Sequence, residues 1–296
     1  MKIRLIDVDS KIPNLALMQI SAYHKEQGDE VSFDIPDPDK VYISCIFTKN
    51  RGKALGIGKM FPEAEITFGG SGINYDWLPE KMQKIKPDYG LYPSTYSQGF
   101  TTRGCIRYCD FCVVPKKEGK IQVWQHPSEF HDERFDTCMI MDNNLLAAPK
   151  HHWMRVLNWF RENKIKMLSP QGWDARLLDN ISVYYLKDII HAGTIHFAWD
   201  SMFDEKAVIK AIQLLRDQGF NLRRDITFYV LVGFNTTIEQ DIYRCQKLKE
   251  MGTNAFVMPY KKSSEINRLA RWANKKQLFW TCDFKDYDYK NHRGVG

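Results

Sequence analysis

Short apolar runs, each ending in glycine or a polar cluster, alternate with segments of helical spacing along most of the chain. Such alternation builds parallel βαβ units. Lys2 to Val8, Glu30 to Phe33, Val41 to Phe47 and Ile66 to Phe68 read as strands. Pro13 suits the first turn of a helix that carries Leu15, Met18, Ile20 and Ala22 and stops near Gly28. Residues 51–60 and Trp77 to Ile85 read as helices, and Asp88 to Tyr92 as a last short strand. Residues 1–94 are therefore expected to form a small doubly wound, Rossmann-like parallel sheet domain. Pro93 to Gln98 is polar and turn-rich, as a linker is.

Alternation resumes over residues 95–262. Strands are expected at Phe100 to Thr102, Cys138 to Met141, Lys166 to Ser169, Thr194 to Trp199, Ile226 to Val232 and Ala255 to Met258. Helices are expected at His151 to Asn163, Ile181 to Ala192 with Gly193 as cap, Glu205 to Gln218 and Thr237 to Met251. These strand units fall short of the roughly eight of a closed barrel. The expectation is an α/β chain in which the small sheet domain precedes a partial (β/α)6 TIM-like barrel. The C-terminal strand ends of such a barrel carry the active site. Residues 263–296 are left for a C-terminal helix and a tail. From Leu278 on, mixed aromatics and charges suggest loose packing or a cover over an opening.

Composition excludes several classes. With 13% aromatic and 44% hydrophobic residues, a disordered chain is ruled out. The longest apolar run, Ile226 to Phe234, is far short of the ~20 residues that span a bilayer. The start, MKIRLIDVDS, turns acidic too early for a signal peptide, so a cytoplasmic protein without membrane association is expected. The net charge of +6, from 42 Lys+Arg against 36 Asp+Glu, permits a nucleic-acid partner without calling for one.

Seven cysteines, an odd number in a long chain, argue against a disulfide framework. Cys105, Cys109 and Cys112 crowd into one loop, while Cys45, Cys138, Cys245 and Cys282 are scattered and read as small buried hydrophobes. Three thiolates on one loop can hold three irons of a [4Fe–4S] cluster and leave the fourth free for a further ligand. Gly104 lets the backbone approach closely. Arg103, Arg107, Lys116 and Lys117 surround the loop with positive charge that would stabilise thiolates. The competing readings are a zinc site completed by His126, His131 or Cys138, and a non-catalytic iron–sulfur module that carries electrons.

The stretch from Phe100 to Gly119, with Cys105-Ile-Arg-Tyr-Cys109-Asp-Phe-Cys112 at its centre, resembles the radical S-adenosylmethionine (radical SAM) superfamily. The resemblance covers roughly residues 95–262. It implies that Cys105, Cys109 and Cys112 bind a [4Fe–4S] cluster, that S-adenosylmethionine chelates the free iron, and that Phe111 lies near the adenine. One-electron cleavage would give methionine and a deoxyadenosyl radical that abstracts hydrogen from a substrate. A flavodoxin or ferredoxin would supply the electron. Asp142, Asn143 and Asn144 stand where the family contacts the methionine amine, although the usual Gly-Gly-Glu is missing. Gln171, Asp174 and Arg176 resemble a polar set that binds the cofactor or substrate. Asp200 and Ser201 stand where many members have Glu-Ser, and Gly233 opens a segment whose backbone meets adenine. Helix capping is the alternative for each Asp, Asn and Ser among them.

The domain order also resembles radical SAM proteins with a cobalamin-binding domain. The loop Asp7-Val-Asp9-Ser-Lys-Ile-Pro13-Asn14 has no His to offer cobalt, and His24 falls well along the first helix. Gly69-Gly70-Ser71-Gly72 resembles the glycine-rich segment near the nucleotide tail. Cobalamin, and with it a methyltransferase activity, therefore stays an alternative, against a degenerate scaffold domain. Methylthiotransferases share the domain order, but their N-terminal domain has three further cysteines where this one has only Cys45. Arg268, Arg271, Lys275, Lys276, Phe279 and Trp280 could meet a nucleic acid, although an amphipathic helix cap is the favoured reading.

Overall fold

The structure is a computed structural model and describes residues 1–288. The chain is α/β, with several parallel sheets. The first sheet holds β1 (Lys2–Asp7), β2 (Glu30–Ser32), β3 (Lys40–Ser44) and β4 (Glu65–Gly69) in the order β2-β1-β3-β4, every pair parallel. Alternation of side chains sends Ile3, Leu5 and Tyr42 to one face. There they meet Leu17 and Ile20 of α1 (Leu15–Glu26). Val41 and Ile43 face the other way, against Ala54 of α2 (Arg51–Gly58).

Pro13 lies just outside α1, which starts two residues later. The Asn14 side chain accepts from Leu17 N–H and is the N-cap. The helix expected over Trp77 to Ile85 shrinks to α3 (Glu80–Gln83), because Pro79 sits at its N-cap. No strand forms at Asp88 to Tyr92. Asp88 folds a turn instead, accepting from Gly90 N–H at 2.9 Å and from Ser21 and Lys25.

The next parallel sheet is β5-β8-β9. It contains β5 (Ser97–Gly99), β8 (Thr137–Ile140) and β9 (Lys166–Leu168). β5 lies three residues before the strand expected at Phe100, and it takes Ser97 and Gln98 out of the expected linker into the interior. Gly99 is required there, since a Cβ would strike the Phe130 ring. An antiparallel ribbon of β6 (Thr102–Arg103) and β7 (Gln122–Val123) closes the segment between. That segment carries the short α4 (Val114–Lys117).

The third parallel sheet is β10 (Ile195–Ala198), β11 (Ile226–Val232) and β12 (Asn254–Pro259). Parallel bridges from Met167 to His191 and from Trp173 to Phe197 carry backbone pairing from β9 on to β10. One core runs through both sheets. It is covered by α6 (Lys150–Asn163), α7 (Asn180–Lys187), α8 (Glu205–Asp217) and α10 (Ile238–Glu250), with the single turns α5 (Pro127–Phe130) before α6 and α9 (Leu222–Asp225) before β11. α7 ends well before Gly193, because His191 leaves the helix to bridge β9.

α11 (Ser264–Asn274) and α12 (Lys276–Thr281) follow. The expected loose tail is corrected over its described part: Leu278, Phe279, Phe284 and Tyr287 are buried in the main core. Residues 289–296 of that tail lie outside the described residues. Among the described residues, no helix is long and apolar enough to cross a membrane.

Candidate functional site

The cysteine loop is framed before it is functional. Gly104 has φ +77°, and a Cβ on it would run into the Lys120 carbonyl, so glycine is obligatory at the entry. Cys105 N–H donates to Gly119 C=O at 3.2 Å, which pins entry to exit. Within the loop, Cys112 N–H donates to Cys109 C=O at 2.9 Å. Glu118 closes the frame. Its carboxylate accepts from Arg103 Nε (2.9 Å) and a terminal guanidinium nitrogen (2.8 Å), from Gly104 N–H (2.9 Å) and from Asn143 Nδ2 (2.8 Å). A bidentate, charge-assisted pair of this kind is among the stronger polar contacts a protein makes.

The loop faces the C-terminal ends of the strands. Arg107 Nε reaches Asp174 Oδ2 at 2.9 Å, and Arg176 Nε reaches Asp174 Oδ1 at 2.6 Å. Arg176 also contacts Asp204 at 3.2 Å. Burial alone would raise the Asp174 pKa, but the guanidinium of Arg176, then that of Arg107, hold it below the usual carboxylate range. Asn144 Nδ2 donates to Asp174 at 3.2 Å and lies 3.7 Å from Cys105 Sγ, while Arg107 N–H points at the same sulfur from 3.3 Å. Sulfur, amide and carboxylate are thus wired together across three chain segments.

The thiols do not behave as the sequence suggested. Positive charge was expected to stabilise thiolates, yet Cys109 and Cys112 are both pushed up, mainly by burial. Neighbouring thiols and Asp200 raise them further, and of the cations only Arg176 opposes this at Cys109. Three of the four loop cations point to partners other than the thiols, and Lys116 is exposed. Arg103 pairs with Glu118, Arg107 with Asp174, and Lys117 donates to Ser71 Oγ at 2.9 Å. Among the described residues, no group of three His, Cys, Asp or Glu side chains is drawn together as a metal-ligand set. The donor chemistry nonetheless fits an iron–sulfur cluster. The three half-buried thiols interact electrostatically with one another, and the buried Asn144 Oδ1 beside them lacks a hydrogen-bond partner.

The remaining expected residues divide. Phe111 packs edge-on against Phe234 at 5.3 Å, and Phe234 against Tyr260 at 4.8 Å, so the motif aromatic does reach the segment opened by Gly233. Gly233 has φ +74° and donates its N–H to Asp241 at 3.0 Å. Asp200 accepts from Leu231 N–H, and burial raises its pKa. Ser201 caps the turn after it, accepting from Phe203 N–H. Gln171 is exposed and lines a shallow concavity. Asp142, Asn143, Asn144, Ser169 and Trp173 share that lining.

Asp142 is buried and straps the chain at Thr101. Its carboxylate takes the Thr101 N–H at 2.6 Å and the Thr101 hydroxyl. Burial pushes its pKa up to about 6 against those hydrogen bonds.

The N-terminal loops are filled from within the chain. Asp9 accepts from Ile46 N–H (2.7 Å), Phe47 N–H (3.1 Å) and Asn50 Nδ2 (2.8 Å). A Cβ on Gly70 or Gly72 would strike the backbone of Cys45 or Phe47, which accounts by packing for two of the three glycines in that segment. His24 is held between Asp29 (2.7 Å) and Tyr42 OH (3.0 Å). Cys45, Cys138 and Cys245 are fully buried, as expected for small hydrophobes. Phe279 is fully buried, and Arg268 donates to the carbonyls of Phe284 and Tyr287, so neither serves an exposed stacking surface.

Sequence reasoning passed over Glu118, Thr101 and the buried pair of Asp241 and Arg244. Arg244 donates to Asp241 at 2.6 Å, to Leu231 C=O at 2.7 Å and to Trp199 C=O, fixing the ends of β10 and β11. Only the i,i+3 spacing of Asp241 and Arg244 on α10 was visible as a signal. Neither protein-family profiles nor curated proteins match this chain.

Proposed function

We propose that the chain is a radical SAM enzyme in which Cys105, Cys109 and Cys112 hold a [4Fe–4S] cluster. In this reading β5, β8, β9, β10, β11 and β12 form the open barrel, and β1 to β4 a Rossmann-like domain in front of it. The observation that carries the proposal is the wiring of the cysteine loop to the strand ends, through Arg107, Asn144 and Asp174. When bound, cluster and S-adenosylmethionine together supply one-electron C–S cleavage and a deoxyadenosyl radical for hydrogen abstraction.

The protein's share is to bind and orient. The cysteines give up their protons as they ligate, which couples loading to pH. Asn144 offers a buried, unpaired carbonyl oxygen to a polar group of the cofactor. Phe111 and Phe234 provide an aromatic corner suited to adenine. Asp174 holds Arg107 and Arg176 over the loop. A flavodoxin- or ferredoxin-like donor, in a reducing cytoplasm, fits the need for a single electron.

Anaerobic reconstitution with iron and sulfide, followed by dithionite and S-adenosylmethionine, is expected to release deoxyadenosine. Cys109→Ala is expected to lose it. One tightly bound zinc with no iron uptake would move the site to the competing structural-metal reading.

A further inference from the structure

We propose that the N-terminal sheet acts as a clamp on the cysteine loop, with Ser71 and Trp77 as positioning residues. The inference rests on the reading of that loop as a cluster site. Two hydrogen bonds link the segment between β4 and α3 to one residue of α4. Lys117 Nζ donates to Ser71 Oγ at 2.9 Å, and Trp77 Nε1 donates to Lys117 C=O at 3.0 Å. The next residue, Glu118, holds Arg103 and Gly104 at the start of the loop. Both ends of the cysteine segment are thereby tied to one anchor.

The anchor is stiff. Gly70 and Gly72 seat the Ser71 turn directly against the Cys45 and Phe47 backbone. Trp77 packs into a cluster, with the Arg103 guanidinium 4.6 Å from its ring and the Trp124 ring at 5.4 Å. Arg103 lies in turn 4.0 Å from the Phe100 ring. Lys117 is partly buried, and burial lowers its pKa against the opposing charge of Glu118. In an open parallel sheet the C-terminal edge is where a small ligand would sit. Here that edge holds a piece of the chain itself, and the clamp sets how freely the three thiols move.

The test uses the metal-free full chain and iodoacetamide, with labelling at each cysteine followed by peptide mass spectrometry. Trp77→Phe keeps an aromatic ring and removes the donor, and Ser71→Ala removes the acceptor. A lost hydrogen bond is worth a factor of about 2–10 in local opening. Each variant is expected to speed labelling of Cys105, Cys109 and Cys112 by about that factor, while Cys138 and Cys245 keep their rates. Ser71→Thr, which retains a hydroxyl, is expected to restore the wild-type rates. Equal loop labelling in all variants would overturn the clamp, as would equal acceleration at Cys138 and Cys245, which marks general loosening. Absence of iron in reconstituted wild-type protein would instead refute the cluster reading, so the two failures are distinguishable.

Discussion

Replacing Asp142 by Asn removes a charge that the fold buries at a cost. The carboxyl is raised from 3.8 to about 6 by burial. Two units at ~1.4 kcal/mol each make a difference of about 3 kcal/mol. The sign follows from proton counting. Between about pH 4 and pH 6 the folded chain carries a proton on Asp142 that the unfolded chain has lost, so stability falls as pH rises through that window. Asn is neutral throughout and still presents an oxygen to Thr101 N–H. The stability of Asp142→Asn relative to wild type is therefore expected to climb by about 3 kcal/mol from pH 4 to pH 7 and then level off. Urea unfolding of the metal-free chain, followed by far-UV circular dichroism across that range, measures it. A difference that stays constant with pH would refute the reasoning, because the carboxyl would then not titrate inside the fold. Asp142→Ala would leave the Thr101 N–H and hydroxyl without acceptors and is expected to be worse than Asn by about 1–3 kcal/mol.

Gly104→Ala places a Cβ against Lys120 at a left-handed residue. It is expected to cost at least about 1–2 kcal/mol, measured by thermal unfolding, and to lower iron uptake on reconstitution. Arg244→Met leaves Asp241 buried without its partner and is expected to destabilise the chain by about 3–5 kcal/mol in urea. Because burial holds the Cys109 and Cys112 thiols protonated, cluster loading is expected to speed up with rising pH above neutrality and to release protons, followed by stopped-flow absorbance with a pH indicator. A pH-independent rate would place thiol deprotonation outside the limiting step.

Long, strongly apolar elements were legible. β11 and the helix faces of α6, α8 and α10 fall where periodicity puts them, because burying an apolar stripe is a local demand on sequence. β5 was hidden because Ser97 and Gln98 are polar, yet both are buried and hydrogen-bonded: Gln98 reaches Pro13 C=O and Ser97 Oγ accepts from Asp132. At the candidate site, the loop and its glycine entry could be read from spacing. Its support could not. Glu118 meets Asn143, and Trp77 meets Lys117, across stretches that leave no periodic trace. The bond of Asp142 to Thr101 was hidden for a related reason, since a strand-end carboxylate looks the same in sequence whether it faces a ligand or straps a neighbouring segment.

Electron paramagnetic resonance of the reconstituted, dithionite-reduced chain, before and after S-adenosylmethionine, addresses the cluster directly. A reduced [4Fe–4S] signal that shifts when S-adenosylmethionine is added, and that Cys105→Ala abolishes, is the expected result. A chain that takes up no iron, or whose iron signal is indifferent to S-adenosylmethionine, would contradict an open cluster on Cys105, Cys109 and Cys112.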